Sequence, residues 1–457
     1  MSLPPRKVVE LQGKARALAT ELDAWRKQAA AGQPFEKHHS QVERLATQIL
    51  AAMEQLGAEI TAAGAGPETA PEIERRILDF HRVWDFFRSK LVLRAFDYFR
   101  LHLAAADELA FACYRPLVEG AGVFKEPPLT YFSATSDTPY ALPRNKSYEH
   151  AFPGPGLPGP AVGQLLKALP VPVVSLPWFQ QGHLPDLAIV AHEVGHHVED
   201  DLGLTPALLD ALRQAALPPE RVPAWTAWCG EVFADEYATL ALGRGFARAL
   251  IDFLLASDVA AMRAEAVAGP RWGQYPTAPL RLAVAREVLR TRETLDEETE
   301  KAMAPLRDHA MADFEPDCER VVAALSNAPL PRGGTVGGLI AFDGLREAAA
   351  ATQAKAALEA SALASRDVRE LVAAAAIAFA RDPVRFYAPG PGGTSPAERI
   401  RTRITESIEA GVRGAGDRPA VAEQKQAVAA HRAGDREAGT ALLASLRFLG
   451  GGPPAAG

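Results

Sequence analysis

From Arg6 to about Glu119, apolar residues recur at spacings of three and four in a background of Ala, Leu, Glu, Arg and Gln. That is the period of a helix with one buried face. Breakers concentrate at 62–71, so the pattern predicts helices over 7–31, 40–62 and 71–117. The last of these carries Trp84, Phe86, Phe87, Phe96, Tyr98 and Phe99, which recur at helical spacing and read as core. Between 120 and 185 the period shortens, and Pro, Gly and β-formers take over. LTYFSATSDTPYAL and VPVVSLPWF are the best strand candidates, and a small sheet is expected there. From Pro185 the helical period returns, over 186–202, 205–216, 224–242, 246–268 and 279–292. Beyond about Leu306 lie further Ala-rich helices, split at 329–338 and 387–395 and closing on GGGPPAAG. The pattern is that of a mainly α chain with a small β-sheet, an α+β fold, without internal repeats or sustained heptads.

A length of 457 residues exceeds one typical domain, so a large core shared by two or three units is expected. The pattern divides them into a helical region 1–122, a mixed region 123–305 and a helical region 306–457. Hydrophobic residues make up 48% and charged residues 23%, which is globular rather than disordered. A net charge of -7 without a dense Lys/Arg run gives no reason to expect nucleic acid as a partner. Cys113, Cys229 and Cys318 are far apart and form no CxxC pair, which argues against a disulfide framework and for a reducing cytoplasm. The amino-terminal residues lack the apolar stretch of a signal peptide. The longest weakly polar run, 371–380, is too short to span a bilayer and reads as a buried helix segment.

The chemistry concentrates in DLAIVAHEVGHHVED, where an apolar lead-in, 187–191, precedes the HExxH pattern His192, Glu193, Val194, Gly195 and His196. Residues four apart share a helix face, so both imidazoles reach one zinc ion, with Glu193 beside them as general base. A third ligand on the same stretch, as in metzincins, is excluded because Glu199 and Leu202 stand where a glycine and a histidine belong. The next candidate segment is AWTAWCGEVFADEYATLALG. There Glu231 and Asp235 lie four apart; Glu231 would complete the ligand set, and Asp235 would accept a hydrogen bond from the far nitrogen of one histidine. Glu236 would face another side. His197 points about 100° away from His196 around the helix, a direction that suits a supporting or surface histidine better than a ligand. Trp225 and Trp228 read as packing residues.

His192, Glu193, His196, Glu231 and Asp235 together resemble the gluzincins, peptidases whose HExxH helix is joined by a second helix bearing ExxxD. YPTAPLR is similar to the HPxxxxR stretch of the gluzincin family that includes the prenyl-protein proteases and their heat-shock relatives. Pro276 and Arg281 match it, while Tyr275 stands in the histidine's place and its hydroxyl is capable of stabilising an oxyanion. Unlike those relatives, this chain has no predicted membrane spans. The resemblance covers about 171–281. It implies a zincin-like catalytic domain at 123–305 flanked by helical regions, a bound Zn2+, and hydrolysis of a protein or peptide substrate.

VPVVSLPWF reads equally as an edge strand that pairs with an extended substrate or as an ordinary core strand. Two other functions stay open: a catalytically silent zinc-bound scaffold, and a regulatory protease dedicated to one partner protein recognised through the helical flanks. Intact Glu193 argues against the first.

Overall fold

A computed structural model describes residues 3–31, 33, 35–62, 69–123, 125–133, 139–142, 171–255, 267–268, 271–304, 311–409 and 420–449. Its main elements, in chain order, are helices α1 (Pro5–Gln28), α2 (His39–Thr61), α3 (Ala70–Val92) and α4 (Asp97–Gly120); strands β1 (Leu129–Ser133), β2 (Tyr140–Leu142) and β3 (Val173–Pro177); helices α5 (Ile189–Asp201), α6 (Cys229–Leu242) and α7 (Arg244–Leu255); the ribbon β4 (Val267–Ala268) and β5 (Arg271–Trp272); and helices α8 (Ala278–Thr291), α9 (Val368–Arg381) and α10 (Ala420–Leu449). The fold is mainly α with a small β-sheet. Among the described residues, no helix is long and apolar enough to cross a membrane.

The chain divides into two compact units: 1–100 with 144–172 and 417–457, and 101–143 with 173–416. This grouping differs from the three spans read from composition, because spatial neighbours come from distant parts of the chain. In the first unit, α10 packs along α2. A Cβ on Gly439 would lie 2.1 Å from the Gln48 carbonyl oxygen, so only glycine permits this close approach. Beside that crossing, buried Arg44 donates two hydrogen bonds of 3.0 Å to buried Asp435, and the Gln48 amide adds a third of 3.0 Å.

The predicted helix over 71–117 is broken. Phe96 adopts extended backbone (φ -102°, ψ 119°) between a 3-10 turn, Leu93–Ala95, and α4. Trp84, Phe86 and Phe87 are buried as expected, but Phe96 and Tyr98 are 57% and 74% exposed, because the break removes them from the helix face that α3 buries.

In the second unit, the sheet order is β1-β3-β2, with β1 parallel and β2 antiparallel to β3. VPVVSLPWF is therefore the central strand among the described residues, and the edge-strand reading is corrected in favour of the core reading; all five β3 residues are buried. Residues 134–138 of the first strand candidate lie outside the described residues, as does GGGPPAAG. The stretch 224–242 forms two helices, Val222–Ala227 and α6, joined at Trp228. The helix expected over 246–268 is described only to Leu255, and Val267–Ala268 pairs with Arg271–Trp272 as a ribbon. Residues 256–266 lie outside the described residues.

The alanine-rich run 371–380 forms the interior of α9 and is buried through Ala378, as its composition predicted. Small side chains let neighbours approach: a Cβ on Gly245 of α7 would lie 2.4 Å from Ala373 Cα. Through Arg369, α9 also stabilises the end of α6, where the last carbonyls lack partners within the helix. The buried guanidinium donates to Ala241 O (2.8 Å) and Ile340 O (2.6 Å), and the Phe342 amide donates to Leu240 O (2.6 Å). At Gly243 (φ +56°) the chain turns against Glu347, whose carboxylate accepts from the Arg244 amide at 2.8 Å and from Arg244 Nε at 2.9 Å. Helices α7 and α9 thus pack into the unit that carries the HExxH residues.

Candidate metal centre

A 3-10 turn, Leu184–Ala188, leads into α5, whose Val190, Ala191, Val194 and Val198 are fully buried. The helix stops at a Schellman turn: Gly203 takes φ +62°, its amide donates to Asp200 O, and the Leu204 amide donates to Glu199 O. The Tyr114 hydroxyl donates to Asp201 Oδ2 at 2.5 Å, and Lys125 Nζ donates to Asp201 O at 2.7 Å, a cation placed at the negative end of the helix. Helix α5 crosses α6 at Gly195. A Cβ there would meet Ala234 Cα at 3.0 Å, so the glycine inside HExxH sets the separation of the two helices that carry the site.

At this crossing His192, His196 and Glu231 come together, with one ligand atom from each lying within 4.8 Å of the others. His192 Nε2 is 3.5 Å from Glu231 Oε2, and His196 Nε2 is 3.6 Å from Glu231 Oε1. Donors held tetrahedrally at about 2.0–2.1 Å from a metal lie roughly 3.3–3.4 Å apart, and both histidine–carboxylate separations are close to that. Two imidazoles and a carboxylate are the chemistry that first-row divalent ions select.

The surroundings orient these donors. Asp235, fully buried one turn beyond Glu231, places Oδ1 2.9 Å from His192 Nδ1, which turns Nε2 toward the shared point. Arg281, near the start of α8, grips Asp235 with Nε at 2.6 Å and Nη2 at 2.7 Å. Burial works against a charged Asp235, but Arg281 and His192 outweigh it and hold its pKa below the ordinary value. Burial likewise opposes a charged His192, yet Asp235 and Glu231 carry its pKa up to about 10 in the metal-free protein. Glu231 is lowered to about 2 against its burial, chiefly by His196 and His192. Asp235 and Glu231 together thus favour positive charge at this point.

Glu193 is buried, and burial pushes its pKa up to about 7, with His192 acting in the opposite direction and the Ala141 amide of β2 donating a hydrogen bond to it. His197 is fully buried, and its Nε2 lies 3.2 Å from the Val173 carbonyl of β3. It faces the sheet, away from the His192, His196 and Glu231 donors. Tyr275 is 37% exposed, just before the N-cap residue Thr277 of α8, and interacts electrostatically with Arg281. Trp225 and Trp228 are buried packing residues, edge to face at 5.6 Å. The Ala141 amide escaped the sequence reading because a backbone N–H has no residue signature.

Comparison of the chain with protein-family models, curated proteins and solved structures finds no match.

Proposed function

We propose that this chain is a zinc-dependent peptidase of gluzincin type, acting on a protein or peptide in the cytoplasm. Three donors facing one point, His192 and Glu231 buried and His196 partly so, with a carboxyl at the position next to His192 on the same helix, carry the proposal. Zinc held by His192, His196 and Glu231 would supply a Lewis acid for a substrate carbonyl and for water. Glu193 takes a proton from water and passes it to the leaving amine, and its burial, which raises a carboxyl's pKa, favours proton acceptance. Asp235, held by Arg281 and 2.9 Å from His192 Nδ1, would keep Nε2 of His192 available to the metal. The Tyr275 hydroxyl is the proposed donor to the developing oxyanion. An extended substrate would pair with the short strand β2 rather than with β3.

Elemental analysis of protein purified without added zinc, together with hydrolysis of a mixed peptide library, tests this function. The expected result is about one zinc per chain, loss of the metal in Glu231→Ala, and retention of the metal without hydrolysis in Glu193→Gln. Metal-free wild-type protein that fails to take up added zinc would remove the proposal.

A further inference from the structure

Glu193 and His197 are four residues apart on α5 and so share one helix face, as His192 and His196 share another. The first face meets the sheet at two successive rungs. Glu193 accepts from the Ala141 amide of β2, and one turn later His197 Nε2 lies 3.2 Å from the Val173 carbonyl of β3. A carbonyl only accepts, so the imidazole donates here. Val173 pairs in register with Leu142 of β2, the residue next to Ala141, and with Leu129 of β1. One backbone position thus fixes both the strand that holds Glu193 and the helix that carries it.

We infer that His197 is a positioning residue for Glu193, anchoring α5 to β3 so that the carboxylate stays on the Ala141 amide. This assignment rests on the peptidase reading for its catalytic meaning, but its geometry stands apart from that reading. Any buried imidazole N–H needs an acceptor, so what sets a positioning histidine apart is that Glu193 depends on the bond. A positioning histidine needs the donor, because apolar packing alone lets a helix slide along a sheet by the tenths of an ångström that govern a hydrogen bond.

Two variants separate these roles. His197→Leu keeps an apolar body and removes the donor, while His197→Gln keeps an amide donor near the position of Nε2. Hydrogen exchange at the Ala141 amide, measured on zinc-loaded protein, reports whether Glu193 still accepts from it, and Glu193→Ala supplies the unprotected reference. The expected result is that exchange in His197→Leu accelerates at least about tenfold, as loss of one net hydrogen bond implies. Exchange in His197→Gln should stay within about threefold of wild type, with unchanged zinc content in both variants. In turnover, kcat should fall in His197→Leu with KM unchanged and recover in His197→Gln. Unchanged Ala141 exchange in His197→Leu, equal acceleration in both variants, or loss of zinc from His197→Leu would each overturn the assignment. Absence of hydrolysis in zinc-loaded wild type would instead remove the peptidase reading and leave the exchange result to decide the role of His197.

Discussion

Each unit of this protein contains a helix crossing built to the same plan, and only one of the two is proposed to do chemistry. In the first unit, α2 and α10 approach at Gly439, beside the buried pair Arg44–Asp435. In the second, α5 and α6 approach at Gly195, beside the buried pair Arg281–Asp235. The difference lies in what else the aspartate touches. Asp435 receives Gln48, a neutral amide, and the cluster closes on itself with its charges balanced. Asp235 touches His192, which faces Glu231, with Glu193 in the adjacent position. Three carboxyl groups then meet one arginine, and the surplus negative charge suits a cation. A buried ion pair that is satisfied serves as a lock; one with acceptors to spare is a site.

Removing the acid from each crossing should separate the two roles most widely. Glu193→Gln is expected to lower kcat by about 10² to 10⁴-fold while zinc stays bound, the usual range for loss of a general base. Asp435→Ala should leave zinc content and turnover intact. Its effect falls on stability: Arg44 loses its partner while buried, at a cost of about 3–5 kcal/mol, read from denaturant unfolding. Turnover that falls in the Asp435 variant as far as in Glu193→Gln would erase the distinction between the crossings. Asp235→Asn belongs to the second crossing. It should weaken zinc binding by about 10 to 100-fold, measured by chelator competition, because the amide no longer orients His192 as the carboxylate does.

The second crossing was largely legible in the sequence, and the first was not. HExxH and ExxxD declare themselves because a metal needs fixed residue types at helical spacing, and His192, His196 and Glu231 do converge. Arg44 and Asp435 are 391 residues apart, and neither belongs to a pattern. The central place of β3 was equally hidden, since a short apolar run reads alike for an edge and an interior strand until its partners are known. Phe96 and Tyr98 were misread for a related reason: helical periodicity continues through 93–96, but the backbone there does not. Ala141 and Val173 contribute through their main chains and leave no mark in residue type.

A smaller effect distinguishes the clusters by pH. His192 is held at about 10 in the metal-free protein, above its ordinary value. Its proton therefore stabilises the metal-free fold fully below about pH 6.5, and that contribution is lost as pH rises through about 10. Zinc must displace the same proton. Apparent affinity should consequently rise about tenfold per pH unit between pH 7 and 9, with about one proton released per zinc bound. Calorimetry in buffers of different ionisation enthalpy measures that proton directly; a release near zero would mean that His192 is already neutral and that Asp235 and Glu231 do not hold its charge.

The two glycines give the finest comparison. At Gly439 a new Cβ would fall 2.1 Å from a backbone oxygen, so Gly439→Ala must push α2 and α10 apart. At Gly195 the nearest atoms are Ala234 Cα at 3.0 Å, Tyr237 Cβ at 3.3 Å and Ala234 Cβ at 3.4 Å, a tight fit that a few tenths of an ångström would relieve. Alanine in place of glycine within a helix gains up to about 1 kcal/mol in propensity, against about 1–3 kcal/mol for overpacking. Gly195→Ala should therefore cost no more than about 2 kcal/mol in stability, less than Gly439→Ala. The shift still separates His192 and His196 on α5 from Glu231 on α6, so zinc affinity should fall severalfold while the stability change stays small. A Gly195→Ala variant that loses stability and keeps full zinc affinity would show that the crossing distance supports the fold alone, as it does in the first unit.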